Sequence, residues 1–309
     1  MTSKAAFSPE EWKVVLEGPP SAGMIVVTAA RGGMIRESIA MSKAYVEARA
    51  QHGESELLDE IVAAKPQADH TRYHSAAELR QNSISISGPE VKALAEAAGD
   101  LGIGIVIGVN ERVDEGRGQG TLYNSLLTLS PDGRLANHHP KLVPTFTERM
   151  IWGNGDGNGL RSVQIANARV GGLICWEHWM PLARTAMHES GEQIHIAVWP
   201  TANEMAQLSS RHYAFEGRCF VLAVGLMMPT SDLPSELPHD VKDTWVERGG
   251  SAIIGPDGCY IVEPIYDREE LILADLDLTM IDRESMALDV TGHYSRPDIF
   301  TFSHRTVKD

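Results

Sequence analysis

The sequence predicts an α/β fold: one domain over residues 1–309, with sheets covered by helices. Three observations carry this. There is an unbroken apolar run at Ile103–Val109, helical segments opened by proline and closed by glycine alternate with such runs, and two pairs of extended segments hinge on Pro-Asp-Gly.

In chain order, Pro89–Leu101 reads as a helix with proline at its start and Gly102 beyond its end. Ile103–Val109 follows as a strand, since a continuous run of this length suits a sheet buried on both faces. Leu122–Leu129 and Arg134–His138 flank Pro131-Asp-Gly133, a hairpin signature. Val170–Trp176 is a strand and Pro181–Glu189 a helix with Gly191 past its end. Ile194–Trp199 is a strand, and Glu204–Glu216 is helical, with Met205, Leu208, Tyr213 and Phe215 among polar residues. Cys219–Gly225 is a strand. Ser251–Ile254 and Tyr260–Glu263 form a second hairpin around Pro256-Asp-Gly258, which suggests two related halves. The remaining Met, Trp and Phe residues show no stripe and read as core.

Lys plus Arg sum to 27 and Asp plus Glu to 42, a net charge of −15. This argues against nucleic acid or an anionic membrane as partner, because both select for basic patches. No apolar run approaches the ~20 residues of a membrane span. The first residues carry no basic start followed by an apolar core, so a secretory signal is not expected. Cys175, Cys219 and Cys259 have no CxxC spacing, which fits neither a disulfide framework nor a zinc site and points to a reducing, cytoplasmic compartment. Asn154-Gly-Asp-Gly-Asn-Gly159 imitates half of a calcium loop but has Ile165, not Glu, at the twelfth place, so a tight polar loop is expected. His138-His139 has no neighbouring cluster to complete a metal site.

Cys175 is the first candidate for chemistry. It ends an apolar strand about five residues before a helix start, where backbone N–H groups and the helix dipole favour a thiolate; spacing alone also fits a buried core cysteine. Cys219 and Cys259 fit the core reading better. Lys141 follows Pro140 and precedes an apolar pair, where a fixed cation could stabilise developing negative charge, or could be a solvated surface lysine. Glu148 could orient a nucleophile or pair with Lys141 or Arg149.

Cys175-Trp-Glu-His178, continued by Pro181-Leu-Ala-Arg184, resembles the nucleophile motif of the nitrilase family of carbon–nitrogen hydrolases. The stretch from Lys141 through Glu148 to Gly157 resembles that family's lysine segment in its nitrilase form. Arg211–Val221 and Gly292-His-Tyr-Ser-Arg-Pro-Asp298 are similar to further family segments, in the expected order. The resemblance implies a four-layer α–β–β–α sandwich of the nitrilase type. It implies Cys175, Lys141 and Glu148 as catalytic residues, no cofactor or metal, and self-association into homo-oligomers. The implied reaction is hydrolysis of a small organic nitrile to acid and ammonia through a thioimidate and an acyl-enzyme. An amidase of the same family, or a catalytically silent assembly protein, are the alternatives. Residues 1–75 depart from the family pattern. They lack the Phe-Pro-Glu segment that carries the family's base, and Glu60 lies nearest to its expected place.

Overall fold

The structure, a computed structural model, describes residues 25–29, 76–230 and 245–306. Its first sheet has the order β1-β2-β3-β4, with β1 (Ile25–Ala29), β2 (Gly104–Arg112), β3 (Leu122–Leu129) and β4 (Leu135–Pro140). β1 runs parallel to β2, whereas β2, β3 and β4 are antiparallel. The second sheet has the order β11-β10-β8-β7-β6-β5. It comprises β5 (Val163–Ile165), β6 (Ala168–Ile174), β7 (Ile194–Trp199), β8 (Phe220–Gly225), β10 (Trp245–Ile254) and β11 (Tyr260–Tyr266), with the short β9 (Met227–Pro229) paired to β10. β6, β7 and β8 are parallel.

A short α1 (Ala76–Gln81) leads to α2 (Pro89–Leu101). Pro89 opens α2 without loss, because its missing N–H would have no partner in the first turn. Gly102 closes it in the left-handed region, donating its N–H to the carbonyls of Ala98 and Gly99. Val91, Leu94 and Ala98 of α2 pack on Ile103, Ile105, Ile107, Leu127 and Leu129. These odd-numbered strand residues form the outer face of the first sheet, and the alternate residues Val106 and Leu126 face the second sheet. α3 (Pro181–Glu189) and α4 (Glu204–Gly217) are the crossovers of the parallel strands; they cover the second sheet's far face with Ala183, Met187, Ala206, Tyr213 and Ala214. The layers are therefore α2, sheet, sheet, α3/α4, which is the four-layer sandwich that the family resemblance implies. α5 (Thr279–Ser285) follows the second sheet and has no buried residue.

The sheets approach closely at Gly172 in β6. A Cβ there would lie 2.7 Å from Leu126 Cδ2 and 3.0 Å from the Ile196 carbonyl, so only glycine lets the two faces meet.

Both Pro-Asp-Gly hairpins are present with one bonding pattern. Gly133 N–H donates to Ser130 O, and Gly258 N–H to Gly255 O, each at 2.9 Å. Each hairpin closes an edge of its own sheet, β3–β4 in the first and β10–β11 in the second.

Three expectations need correction. The strand expected at Val170–Trp176 ends at Ile174, and Cys175–Trp179 form a 3₁₀ turn instead. The scattered large apolar residues are not all core: Met205, Leu208 and Phe215 are exposed, as are Phe146, Met150, Trp176 and Trp179. α4 buries the small residues Ala206, Ser209, Ser210 and Ala214, which let it sit close to the sheet, together with Gln207 and the large Tyr213. Cys259 is exposed rather than core, because it enters β11 at the open edge of the sheet; Cys219 is buried as expected.

Candidate active site

The loop after β4 carries Lys141, and the loop after β6 carries Cys175, so each candidate sits at the carboxyl end of a strand in a different sheet. In open α/β sheets that end is where ligands bind.

Lys141 is only 1% exposed, which excludes the surface reading. Its Nζ donates to Glu148 Oε2 at 2.5 Å and to Thr145 Oγ1 at 3.1 Å. Glu148 Oε2 also accepts the Thr145 backbone N–H at 2.6 Å, which closes the 3₁₀ turn Phe146–Met150 around the ammonium. Of the alternatives for Glu148, pairing with Lys141 is therefore the one observed; Arg149 turns away to donate to the Pro144 carbonyl.

The polar glycine loop holds this lysine from behind. Gly155 N–H donates to Lys141 O at 2.8 Å, and a Cβ on Gly155 would lie 2.0 Å from Pro140 O. Gly155→Ala is expected to push the lysine segment off its strand and lower the melting temperature by about 5 °C or more, read by calorimetry. An unchanged transition would show that the loop yields without cost.

Cys175 is buried, and its φ is 56°. A non-glycine residue in the left-handed region costs roughly 1–2 kcal/mol and persists only when its surroundings impose it. Two neighbours do so. His178 Nδ1 lies 2.6 Å from the Cys175 carbonyl oxygen, and Glu177 Oε2 accepts the Ile174 N–H at 2.7 Å. The turn presents Trp176 and Trp179 outward beside the cysteine.

Glu177 joins the two loops. Its carboxylate also accepts the Leu142 N–H at 2.7 Å and a donor from His139 Nε2 at 2.9 Å. The residue before the cysteine and the residue after the lysine therefore share one carboxylate, which brings the two candidate segments together. Burial pushes the Glu177 carboxyl up, but the His139 charge and these donors outweigh it and hold the group ionised. So many donors leave it a poor base. His139, the second residue of the His138-His139 pair, is the structural partner of Glu177; its Nδ1 has no hydrogen-bond partner among the described residues. Glu177 itself lies within the cysteine motif, but nothing in its spacing identifies the distant groups it binds.

A second buried polar group lies behind the cysteine turn. His178 Nε2 is 3.0 Å from His195 Nε2, and His195 Nδ1 is 2.8 Å from Glu192 Oε2. Tyr213 donates to the other Glu192 oxygen, and His188 lies 3.4 Å from Glu192 and 3.2 Å from Glu216, which Arg184 also contacts. Sequence reasoning missed this set, because its members come from different elements. Glu60 lies outside the described residues. The Gly292–Asp298 segment is mostly exposed, with Arg296 paired to Asp298. Among the described residues no group of three His, Cys, Asp or Glu residues is arranged to hold a metal, and no helix is long and apolar enough to cross a membrane.

The model of the carbon–nitrogen hydrolase family matches residues 62–283, most of the chain. The chain belongs to the carbon–nitrogen hydrolase family. It is 42% identical over 229 residues to an aliphatic nitrilase of Sinorhizobium fredii, an alignment covering 72% of each chain. It is 40% identical to a bifunctional nitrilase/nitrile hydratase of Lupinus angustifolius, over 80% of this chain and 69% of that one. Among solved structures it is similar to a carbon–nitrogen hydrolase of Helicobacter pylori G27, with a TM-score of 0.67, 17% identity and coverage of 90% and 97% of the two chains. It is likewise similar to Saccharomyces cerevisiae Nit3, with a TM-score of 0.63, 17% identity and coverage of 88% and 95%. This hydrolase therefore has the family's sandwich, and it acts on carbon–nitrogen bonds.

The buried polar group gives the hydrolase a defined acid response. Burial and the neighbouring His195 pull His178 from 6.5 to about 3. Burial raises Glu192 and Glu216, but their histidine partners, with Arg184 beside Glu216, bring both from 4.5 to about 2. Each of these groups binds a proton more readily unfolded than folded. Their stabilisation is therefore present at neutral pH and is lost as pH falls, from 6.5 to about 3 for His178 and from 4.5 to about 2 for the carboxylates. His188 opposes them: burial lowers it, but Glu192 and Glu216 raise it above 6.5, so its contribution is complete below 6.5 and fades as pH rises through its folded value. The urea midpoint is expected to fall steadily from pH 6.5 to pH 3. A midpoint flat across that range would contradict these protonation states.

Proposed function

We propose that this hydrolase converts a small organic nitrile to the carboxylic acid and ammonia, with Cys175 as nucleophile, and that residues 1–309 act as one catalytic domain. The observation that carries the reading is the Glu177 carboxylate, which ties the cysteine turn to the loop of a buried, fixed lysine. The names of the relatives at about 40% identity supply the substrate class.

A nitrile carbon is electrophilic, but its nitrogen is a poor leaving group. The Cys175 thiolate adds to that carbon and a proton is delivered to nitrogen, giving a thioimidate. Water adds to the thioimidate carbon, and the tetrahedral intermediate expels ammonia to leave a thioester. A second water releases the acid and restores the thiol. Lys141 stabilises the charge that builds on nitrogen and then on oxygen. One such donor in a dry site is worth about 3–4 kcal/mol. Glu148 orients the ammonium and is the described carboxylate placed beside it for proton transfer. None of these steps requires a metal or cofactor. The partner is a small nitrile rather than nucleic acid or a membrane. Apolar side chains exposed on the cysteine turn, α3 and α4 support the self-association that the resemblance implies.

The test is ammonia release from a panel of aliphatic and aromatic nitriles and their matching amides, with product masses. Acid and ammonia from nitriles are expected. Turnover of amides alone would replace this reading with an amidase, and no turnover of either would leave the fold without the activity.

A further inference from the structure

The left-handed backbone of Cys175 needs a restraint, and the structure contains one that the reaction scheme does not use. The Cys175 carbonyl oxygen can only accept, so the 2.6 Å contact from His178 requires a proton on Nδ1. His178 is neutral, because burial and His195 hold its imidazole near 3. A neutral ring with Nδ1–H has a bare Nε2, which must accept from its neighbour at 3.0 Å, His195 Nε2. The other nitrogen of His195, Nδ1, lies 2.8 Å from Glu192 Oε2, so that carboxylate holds the His195 ring against His178. Glu192 is fixed in turn by the Tyr213 hydroxyl and by His188. Trp199 stacks on the His178 ring at 4.7 Å, which restrains the ring, and Arg184 donates to the His178 backbone carbonyl at 3.1 Å.

We propose that His178 is a positioning residue: its Nδ1–H holds the Cys175 carbonyl, and thus the left-handed backbone that aims the sulfur, while Glu192 and His195 impose the tautomer able to do so. This rests on Cys175 being the nucleophile proposed above. Without the hydrogen bond, Cys175 relaxes toward ordinary negative φ, which redirects Cα–Cβ and carries Sγ away from the lysine side of the site.

Asn and Leu have nearly the same shape, and the Asn amide nitrogen reaches the position of His Nδ1. His178→Asn therefore keeps the donor and His178→Leu removes it, while both lose the ring equally. His178→Leu is expected to lower kcat about tenfold or more with little change in KM, whereas His178→Asn stays within about threefold of the parent. Alkylation of Cys175 by iodoacetamide, followed by peptide mass spectrometry, is expected to slow in parallel in the Leu variant only. That readout needs no nitrile turnover, so it decides the proposal even if the nitrile reading fails. A third measurement uses parent protein labelled with ¹⁵N-histidine. The signal lost in His178→Asn is expected to show Nδ1 protonated and Nε2 bare. Equal kcat and alkylation rates in folded Asn and Leu variants would overturn the proposal. If the Leu variant does not fold, an Nε2-protonated His178 in the parent would overturn it alone.

Discussion

Cys175→Ala is expected to abolish ammonia release from every nitrile the parent hydrolyses, a loss on the order of 10⁴-fold or more. The step it removes has no substitute in the site. Lys141 is committed to Glu148 and Thr145, and Glu177 to two backbone N–H groups and His139, so neither is a free nucleophile. Alanine also relieves little of the turn, because His178 binds the backbone carbonyl rather than the sulfur. The variant should therefore melt within a few degrees of the parent. Lys141→Met makes the useful comparison: it should lose about 10²–10³-fold in kcat. It should also lose stability, because breaking a buried ion pair costs about 3–5 kcal/mol. Residual turnover at parental rates in Cys175→Ala would end the nucleophile assignment.

Glu177→Ala is expected to destabilise the protein about as much as Lys141→Met. Three donors, from Ile174, Leu142 and His139, converge on this carboxylate, and Ile174 and His139 are buried, each about 1% exposed. A hydrogen bond to a charged group is worth about 1.5–3 kcal/mol. The three share one acceptor and are not additive, so about 3–5 kcal/mol is the expected loss, or about 10 °C in melting temperature. Activity should fall further than stability alone explains, because the link between the lysine and cysteine loops is cut. A Glu177→Ala protein that melts like the parent and keeps its kcat would show that the loops hold their places independently.

The elements with local signals were legible in the sequence. Proline at the start and glycine at the end located α2 and α3, and Pro-Asp-Gly located both hairpins. The end of β6 was not legible. Apolar character continues into Trp176, so hydrophobicity could not report that the backbone turns at Cys175. Nor does apolar character locate the buried face of α4: of its four large apolar residues only Tyr213 is buried, among Ala206, Ser209, Ser210 and Ala214, whereas Met205, Leu208 and Phe215 are exposed. At the site, residue type and motif indicated Cys175, Lys141 and Glu148. The groups that fix them were hidden, because Glu177 reaches His139 and Leu142, and Glu192 reaches Tyr213, across separations that no local pattern encodes.

Cys175, the proposed nucleophile, and the Lys141 ammonium follow strands of opposite leaves of the sandwich, so the gap between them follows from how tightly the leaves close. Gly172 and Leu126 set that closure at a point away from either group. A methyl added at Gly172 would act as a wedge, prising lysine from thiol while touching neither. If the proposed site acts as described, the interior seam tunes it from within, and variants of that seam belong beside those of the visible site.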